Sequence, residues 1–338
     1  MSEITLEQFV GMVNTASSLF ESRPQIAETL NKINFFPIPD GDTGRNVSPV
    51  LLNFRVKEKI ASLDEAIGQL RANIVKKARG YSGKYMHSFF SGFLDGIAKA
   101  ANAGKLRTED IARGFIEGYE HIVKNSHKDD PVIEEGTIVG VMKDVANTAK
   151  KYVGEKKENI SEFFSEAYKT AINSVKETPR KLNARVKTNQ GSKTLEQVGV
   201  VDSGALAFYH WLAGAARYFG VQVDEKLYRD FDAVTLESCA EERYCVDIYV
   251  DLKMADKDTV TLGKNSVPLD ELESQLYLRF GGLAEVVDAE VSPTIHLHGH
   301  YKEDCLKELS SKLGAYGTIS VAKVDDMQRQ SIDKNRGK

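Results

Sequence analysis

The sequence has little cysteine, tryptophan or proline, with 3, 1 and 8 residues respectively among 338. A small and odd number of cysteines excludes a disulfide-stabilised scaffold and favours a reducing compartment, so we predict a cytoplasmic protein. No apolar run approaches the roughly 18 residues that a membrane-spanning helix requires, which predicts no integral membrane contact. The first residues also lack the basic and apolar segments of a signal peptide.

The chain carries no excess of positive charge. Lysine and arginine total 45 against 49 aspartates and glutamates, so the formal net charge is -4. Proteins whose main partner is nucleic acid present a basic surface, and this class of partner is therefore excluded. Hydrophobic residues make up 41% of the chain, enough for a buried core. The length favours two domains over one.

Apolar residues recur at helical spacing through the first 220 residues. This periodicity predicts eight helices, near residues 5–21, 44–60, 66–78, 82–101, 108–124, 137–152, 160–177 and 204–219. Few strand-like alternations interrupt them, which predicts an all-α bundle or barrel over residues 1–222. The polar and basic stretch 183–193 has no periodicity and is interpreted as an exposed loop. It is either a solvated excursion or a flap beside an anionic ligand.

The pattern changes after residue 225. Tyr244–Asp251 alternates between apolar and polar residues, as a strand does. Further strands are predicted near residues 284–291, 294–300 and 318–324, and helices near 269–280 and 302–313. Strands and helices in this order predict a small α+β domain over residues 235–330.

An Asp-Gly-Asp turn precedes the second predicted helix. Asp40 and Asp42 flank a glycine that lets the backbone turn sharply enough for both carboxylates to converge. Mg²⁺ usually binds one or two carboxylates together with phosphate oxygens. The helix that opens with Thr43 and Gly44 offers N–H groups to an anion. Such a turn also serves as an ordinary helix cap, so both interpretations stay open.

Three more predicted helix starts combine glycine with a small hydroxyl residue. They are the segments GYSG at residues 80–83, EGT at 135–137 and DSG at 202–204. One such start is routine helix capping. Four of them would form a polyanion site if they met at one end of a helical barrel, and spacing alone does not establish that they meet.

The segment INFFPIPDGDTGRN, residues 33–46, resembles the signature of the nucleotide-binding L-type domain of dihydroxyacetone kinases. It is most similar to the form found in the ATP-binding subunit of bacterial fatty acid kinase. The blocks ARGYSG (78–83), EGTI (135–138) and GVVDSG (199–204) resemble that family's other motifs, in the family's order. The resemblance covers nearly the whole of residues 1–220, and the four blocks together are specific to the family.

This resemblance implies an eight-helix barrel that binds ATP and two Mg²⁺ ions at one end. Asp40 and Asp42 would be the metal ligands and the catalytic positions, with Asn34 as a further ligand. The implied nucleotide-binding positions are Asn34, Thr43, Gly44, Asn46, Ser82, Gly83, Thr137, Asp202 and Gly204.

The implied reaction is phosphorylation of a fatty acid carried by a separate lipid-binding protein, which gives an acyl phosphate. A carboxylate acceptor is already ionised at pH 7 and needs no general base. A kinase for a small substrate of the dihydroxyacetone type is an alternative. A nucleotide-sensing regulatory subunit is another, because Arg45, Tyr81 and Ala205 replace the family's usual Thr, Asn and Gly. Longer family members add a third domain that engages the lipid carrier; this chain is a shortened relative, a fragment, or a protein whose partner docks elsewhere.

Cys245 lies on one predicted strand of the second domain, and His296 and His298 lie two positions apart on another. Strand residues two apart share a face, and one Cys with two His is a zinc ligand set. A half-buried cysteine near two surface histidines is the alternative. The resemblance extends to RYC (243–245) and TIHLH (294–298), and implies Zn²⁺ at these three residues and a homodimer. His300 is an additional candidate on the same face.

Overall fold

The computed structural model describes residues 3–36, 41–74, 78, 80–100, 106–125, 135–182, 184–188 and 191–223, followed by seven strands between residues 244 and 326. The helices in these residues are α1 (Leu6–Ser22), α2 (Gln25–Lys32), α3 (Thr43–Asn53), α4 (Leu63–Ile74), α5 (Gly80–Ala100), α6 (Thr108–Asn125), α7 (Ile138–Gly154), α8 (Ile160–Leu182), α9 (Leu195–Val198) and α10 (Ser203–Tyr218). Two short strands, β1 (Glu3–Ile4) and β2 (Leu106–Arg107), pair antiparallel.

All eight predicted helices are present, and α2 and the four-residue α9 join them. The main error concerns α3, which ends at Asn53 and not near residue 60. Polar side chains of α1 hold the chain that follows. Ser17 Oγ donates to the carbonyl of Phe54 at 2.5 Å, and the Asn14 side chain bonds both the N–H and the carbonyl of Val56, at 2.8 and 3.0 Å. These tertiary hydrogen bonds take the place of the backbone hydrogen bonds that would continue α3.

The prediction of an exposed loop at residues 183–193 was wrong. Strands β3 (Arg185–Thr188) and β4 (Gly191–Thr194) form an antiparallel hairpin there. The Arg185 guanidinium donates to Ser192 Oγ and to the Ser192 carbonyl, at 3.2 and 3.0 Å, and so ties the two strands together. Because polar residues occupy both faces, the apolar alternation that reveals most strands is missing.

An aromatic cluster fills the centre of the helical region. Trp211 of α10 is fully buried, and its ring is within 6.4 Å, centroid to centroid, of five phenylalanine rings. These belong to Phe54, Phe90, Phe93, Phe115 and Phe208. Rings of this size account for much of the buried apolar surface that stabilises the fold. His210, next to Trp211, is also buried, which lowers its pKa to about 3, so it is a neutral part of this core.

The C-terminal strands form two sheets. Strands β5 (Tyr244–Leu252), β9 (Ala284–Val287), β10 (Thr294–Gly299) and β11 (Gly317–Asp326) assemble in the order β11-β5-β10-β9, all antiparallel. They confirm the four predicted strands. The three-stranded sheet of β6 (Met254–Asp256), β7 (Thr259–Leu262) and β8 (Asn265–Pro268) was not predicted. The helices predicted at 269–280 and 302–313 lie outside the described residues, so the α+β assignment and the division into domains stay predictions.

None of the described helices is both long enough and apolar enough to cross a membrane.

Helices α5 and α6 approach each other through glycines, and this contact supplies a test of the packing. A Cβ added at Gly92 would lie 2.5 Å from the Glu117 carbonyl oxygen, whereas one added at Gly68 of α4 meets nothing within 4 Å. We expect Gly92→Ala to lower the free energy of unfolding by about 1–3 kcal/mol through overpacking. Gly68→Ala should raise it by about 0.5–1 kcal/mol because alanine favours the helix. Urea denaturation measures both, and equal effects would contradict the packing described.

Candidate functional site

The starts of α3 and α10 meet in the folded protein. Thr43, the first residue of α3, and Ser203, the first residue of α10, are both buried, and their hydroxyl oxygens lie 2.8 Å apart. The two residues are 160 positions apart in the chain. A hydrogen bond between side chains so distant in sequence places two of the predicted helix starts side by side.

The starts of α5 and α7 join the same place through Gly204. A Cβ at Gly204 would lie 2.7 Å from Ser82 Oγ of α5 and 3.3 Å from the Cβ of Ile138, the first residue of α7. Gly204 is therefore a glycine because three helices converge on it. The four helix starts singled out in the sequence come together at one end of the helical region.

Asp202 fastens two of these helix starts to each other. It precedes α10, and its Oδ2 accepts a hydrogen bond from the Ala205 N–H at 2.7 Å, while the N–H of Ile138 in α7 is near enough to lower the pKa of the carboxyl group. Its own N–H donates to Thr178 Oγ1 at 2.9 Å. Burial raises the pKa of Asp202 to about 7, and the backbone hydrogen bonds oppose the rise. These contacts assign Asp202 an organising role in the site.

Asp42 precedes α3 but does not cap it. Its side chain is only 3% exposed and makes no hydrogen bond to the amides of the first turn. Those amides are occupied by Asn31 of α2, whose Oδ1 accepts from Gly44 N at 2.7 Å and from Arg45 N at 3.3 Å. The expectation that these N–H groups are available to an anion is therefore wrong, because a side chain from another helix takes them.

Asn46, one turn into α3, supports the Asp42 carboxylate. Its Nδ2 donates to Asp42 Oδ1 at 2.8 Å, and its buried Oδ1 has no hydrogen-bond partner among the residues that the structure describes. The start of α5 presses against it. Gly80 has a φ of +53°, and a Cβ there would overlap Asn46 Nδ2; one at Gly83 would lie 2.8 Å from the Asn46 carbonyl oxygen. Both glycines are thus required by the close approach of α5 to α3.

The other predicted positions are distributed as follows. Asn34 is buried, and Thr137 is buried at the residue preceding α7. Gly44 packs against α2, since a Cβ there would lie 2.8 Å from Ala27 Cα. Asp40 lies outside the described residues. Arg45, one of the departures from the family motif, is exposed.

The donors around Asp42 fit a hard cation. Asp42 is a buried carboxylate with no basic partner among the described residues, and Asn46 Oδ1 is a buried oxygen without a hydrogen-bond donor. Carboxylate and amide oxygens are ligands that Mg²⁺ accepts. Among the described residues of the helical region, no group of three or more His, Cys, Asp or Glu side chains forms a metal site. Asp42 therefore supplies part of a ligand set.

A family model described as the DAK2 domain matches residues 37–217. This chain belongs to the DAK2 domain family. The match spans all four helix starts that converge, together with Asp42 and the whole of α3 to α9. DAK2 domains are kinase-related and generally bind nucleotide and Mg²⁺, which agrees with the donors found around Asp42.

This DAK2 protein is similar to several bacterial proteins that are described as uncharacterized. A protein of Mycoplasma genitalium is 28% identical over 99% of the chain and 59% of its own length. A Mycoplasma pneumoniae homologue is 27% identical over 98% of the chain and 58% of its own length. A Staphylococcus aureus protein is 28% identical over 90% of the chain and 53% of its own length. The chain thus spans somewhat more than half the length of these relatives.

The buried Asp202 makes a prediction about pH. The pKa of Asp202 is about 7 in the folded protein, above the ordinary 3.8. Between pH 3.8 and about 7, the folded state therefore keeps a proton on Asp202 that the unfolded state has lost. The stability contributed by this group is complete below pH 4 and is lost as the pH rises through 7. The difference in unfolding free energy between wild type and Asp202→Asn should fall by about 1.4 kcal/mol per pH unit in that window.

Urea denaturation at pH 4.5, 5.5, 6.5 and 8 measures this difference for Asp202→Asn. The exposed Asp64 at the start of α4 provides the control, and Asp64→Asn should show no comparable slope. A constant difference between wild type and Asp202→Asn across the range would show that Asp202 is ionised throughout.

Proposed function

We propose that this chain is the ATP-using subunit of a phosphotransferase that acts on a fatty acid held by a separate lipid-binding protein. The γ-phosphoryl group of ATP passes to an oxygen of the fatty acid carboxylate, which yields an acyl phosphate and ADP. The observation that carries the phosphotransferase part is the convergence of four helix starts beside the uncapped carboxylate of Asp42. The fatty acid part rests on the sequence motifs.

The chemistry of phosphoryl transfer suits this geometry. The reaction needs positioning and neutralisation of charge more than it needs covalent participation by the protein. Helix N-termini carry partial positive charge, and here those of α3, α5, α7 and α10 lie together. Thr43, Ser82 and Thr137 lie at or near three of these starts, where their hydroxyls would contact phosphate oxygens.

The amides of the site are not all equivalent. Asn31 occupies those of Gly44 and Arg45, so α3 contributes its dipole and the Thr43 hydroxyl but not these two donors. Asp42, with Asp40 and Asn34, would hold Mg²⁺, which supplies charge neutralisation at the phosphates when bound. The protein's own part is to hold these oxygens in place and to orient the nucleotide.

A carboxylate acceptor removes one requirement from the protein. It is ionised at neutral pH and attacks phosphorus without losing a proton, so no general base is needed. A hydroxyl acceptor of the dihydroxyacetone type would require proton removal. Turnover of dihydroxyacetone without a carrier protein would favour that alternative, and Mg-ATP binding without transfer to any acceptor would favour a nucleotide-sensing subunit.

Asp42→Ala tests the phosphotransferase assignment. We expect ATP turnover in the presence of a fatty-acid-loaded carrier protein to fall on the order of 100-fold, because a charge-neutralising metal ligand is lost. The measurement is formation of ADP and of hydroxylamine-trapped acyl phosphate. Asp64→Ala, an acidic residue at the start of α4 that is exposed, should retain wild-type turnover. Equal turnover by wild type and Asp42→Ala would refute the metal assignment.

We also propose a zinc site and a homodimer in the C-terminal region. The sheet register supports the zinc site, since His298 pairs directly with Cys245 across β10 and β5, and His296 lies two positions along. Positions paired in this way share a face of an antiparallel sheet. Cys245→Ser should lose most of the bound zinc measured by mass spectrometry, while Cys239→Ser keeps it. Light scattering measures the molecular mass of both variants and shows whether each is a monomer or a dimer.

A further inference from the structure

Two helices of this protein begin after an aspartate, and the two aspartates behave differently. Asp202 uses its Oδ2 to accept the N–H of Ala205, three residues on, at 2.7 Å, which is the ordinary bond of a capping residue. Asp42 makes no such bond at the start of α3. The sequence offers no distinction between them, since each is followed by a small hydroxyl residue and a glycine.

The difference is explained by Asn31. A capping aspartate bonds the N–H of the second or third helical residue, which in α3 are Gly44 and Arg45. Asn31 Oδ1 already accepts from both, at 2.7 and 3.3 Å. The side chain that caps α3 therefore comes from α2, and among the described residues the carboxylate of Asp42 accepts a hydrogen bond from Asn46 Nδ2 at 2.8 Å.

The packing of α2 on α3 brings Asn31 into reach. A Cβ at Gly44 would overlap the Ala27 carbonyl and lie 2.8 Å from Ala27 Cα, so only glycine permits this approach. Ala27 and Asn31 are four residues apart and share one face of α2. The contact between Ala27 and Gly44 thus delivers the Asn31 amide to the first turn of α3.

A buried carboxylate that does not cap a helix is unfavourable unless a positively charged group pairs with it. The Oδ1 of Asn46, which is buried and has no hydrogen-bond partner in the described part of the chain, lies on the side chain that supports this same carboxylate. Among the described residues Asp42 has no basic partner and Asn46 Oδ1 has no hydrogen-bond partner, and this pair of buried oxygen ligands is more consistent with cation binding than with a purely structural helix start.

We propose that Asn31 is a positioning residue: by capping α3 in place of Asp42, it keeps the Asp42 carboxylate available to a divalent cation. This inference rests on the proposed function, and it adds a residue that does not touch the cation. Without Asn31, the Asp42 side chain rotates onto the vacated amides of Gly44 and Arg45. The carboxylate then serves as a cap and is lost as a ligand.

The first test measures Mn²⁺ binding, by electron paramagnetic resonance and without nucleotide, to the full chain. Asn31→Ala should weaken Mn²⁺ binding tenfold or more, and Asp42→Ala should abolish it. Asn31→Asp restores an oxygen acceptor at the same place and should bind within about threefold of wild type. Asn53→Ala, at the opposite end of α3, is the matched control and should bind as wild type.

The second test measures thermal unfolding and needs no activity. Asn31→Ala should lower Tm less in the wild-type background than in the Asp42→Ala background, because only the former has an aspartate that can replace the lost cap. An equal fall in both backgrounds would overturn the exchange of caps. Circular dichroism at 20 °C checks that each variant is folded.

The outcomes separate this inference from the proposed function. If Asp42→Ala abolishes Mn²⁺ binding and Asn31→Ala leaves it within twofold of wild type, Asn31 has no positioning role and the metal site stands. If Asp42→Ala leaves Mn²⁺ binding unchanged, the metal site of the proposed function is wrong, and this inference is wrong with it.

Discussion

The candidate site depends on Asp202, which precedes α10, and on Ser203 and Gly204, the first two residues of that helix. Asp202 lies beside the N–H of the first residue of α7, Ser203 bonds Thr43 of α3, and Gly204 leaves room for Ser82 of α5. Each contact joins α10 to a different helix, and all of them are buried. Buried polar groups are stable only when they are bonded, so these contacts hold the helix starts in one arrangement. A phosphate-binding geometry is useful only if it is preorganised in this way.

Within that arrangement the chain treats two similar aspartates in opposite ways. The Asp202 carboxylate accepts hydrogen bonding from the backbone and thereby organises the site. At the start of α3 the capping bonds go to Asn31, and Asp42 remains a buried carboxylate beside the four helix starts. The division follows from which neighbouring helix supplies an amide side chain. Residue type and local motif are the same in both places, and the surroundings decide the role.

Much of the helical fold was predictable because it is encoded locally. Apolar residues at helical spacing revealed eight helices, and capping residues marked several of their starts. The errors occurred where tertiary bonds decide. Asn14 and Ser17 of α1 form hydrogen bonds with the backbone just after Asn53, and α3 ends there. The 185–194 hairpin has no apolar alternation to reveal it. The motifs also identified the residues around the site. They missed Asn31, since it lies on a helix that the periodicity did not show.

By itself, the sequence determined that four glycine- and hydroxyl-containing segments open helices and that Asp42 stands before one of them. These are properties of short stretches, which backbone sterics and capping chemistry dictate. Only the tertiary structure decided that the four starts meet, since the bond between Thr43 and Ser203 joins residues 160 positions apart. It alone decided that Asp42 is not a cap, because the amides it would bond are occupied by a side chain from a different helix.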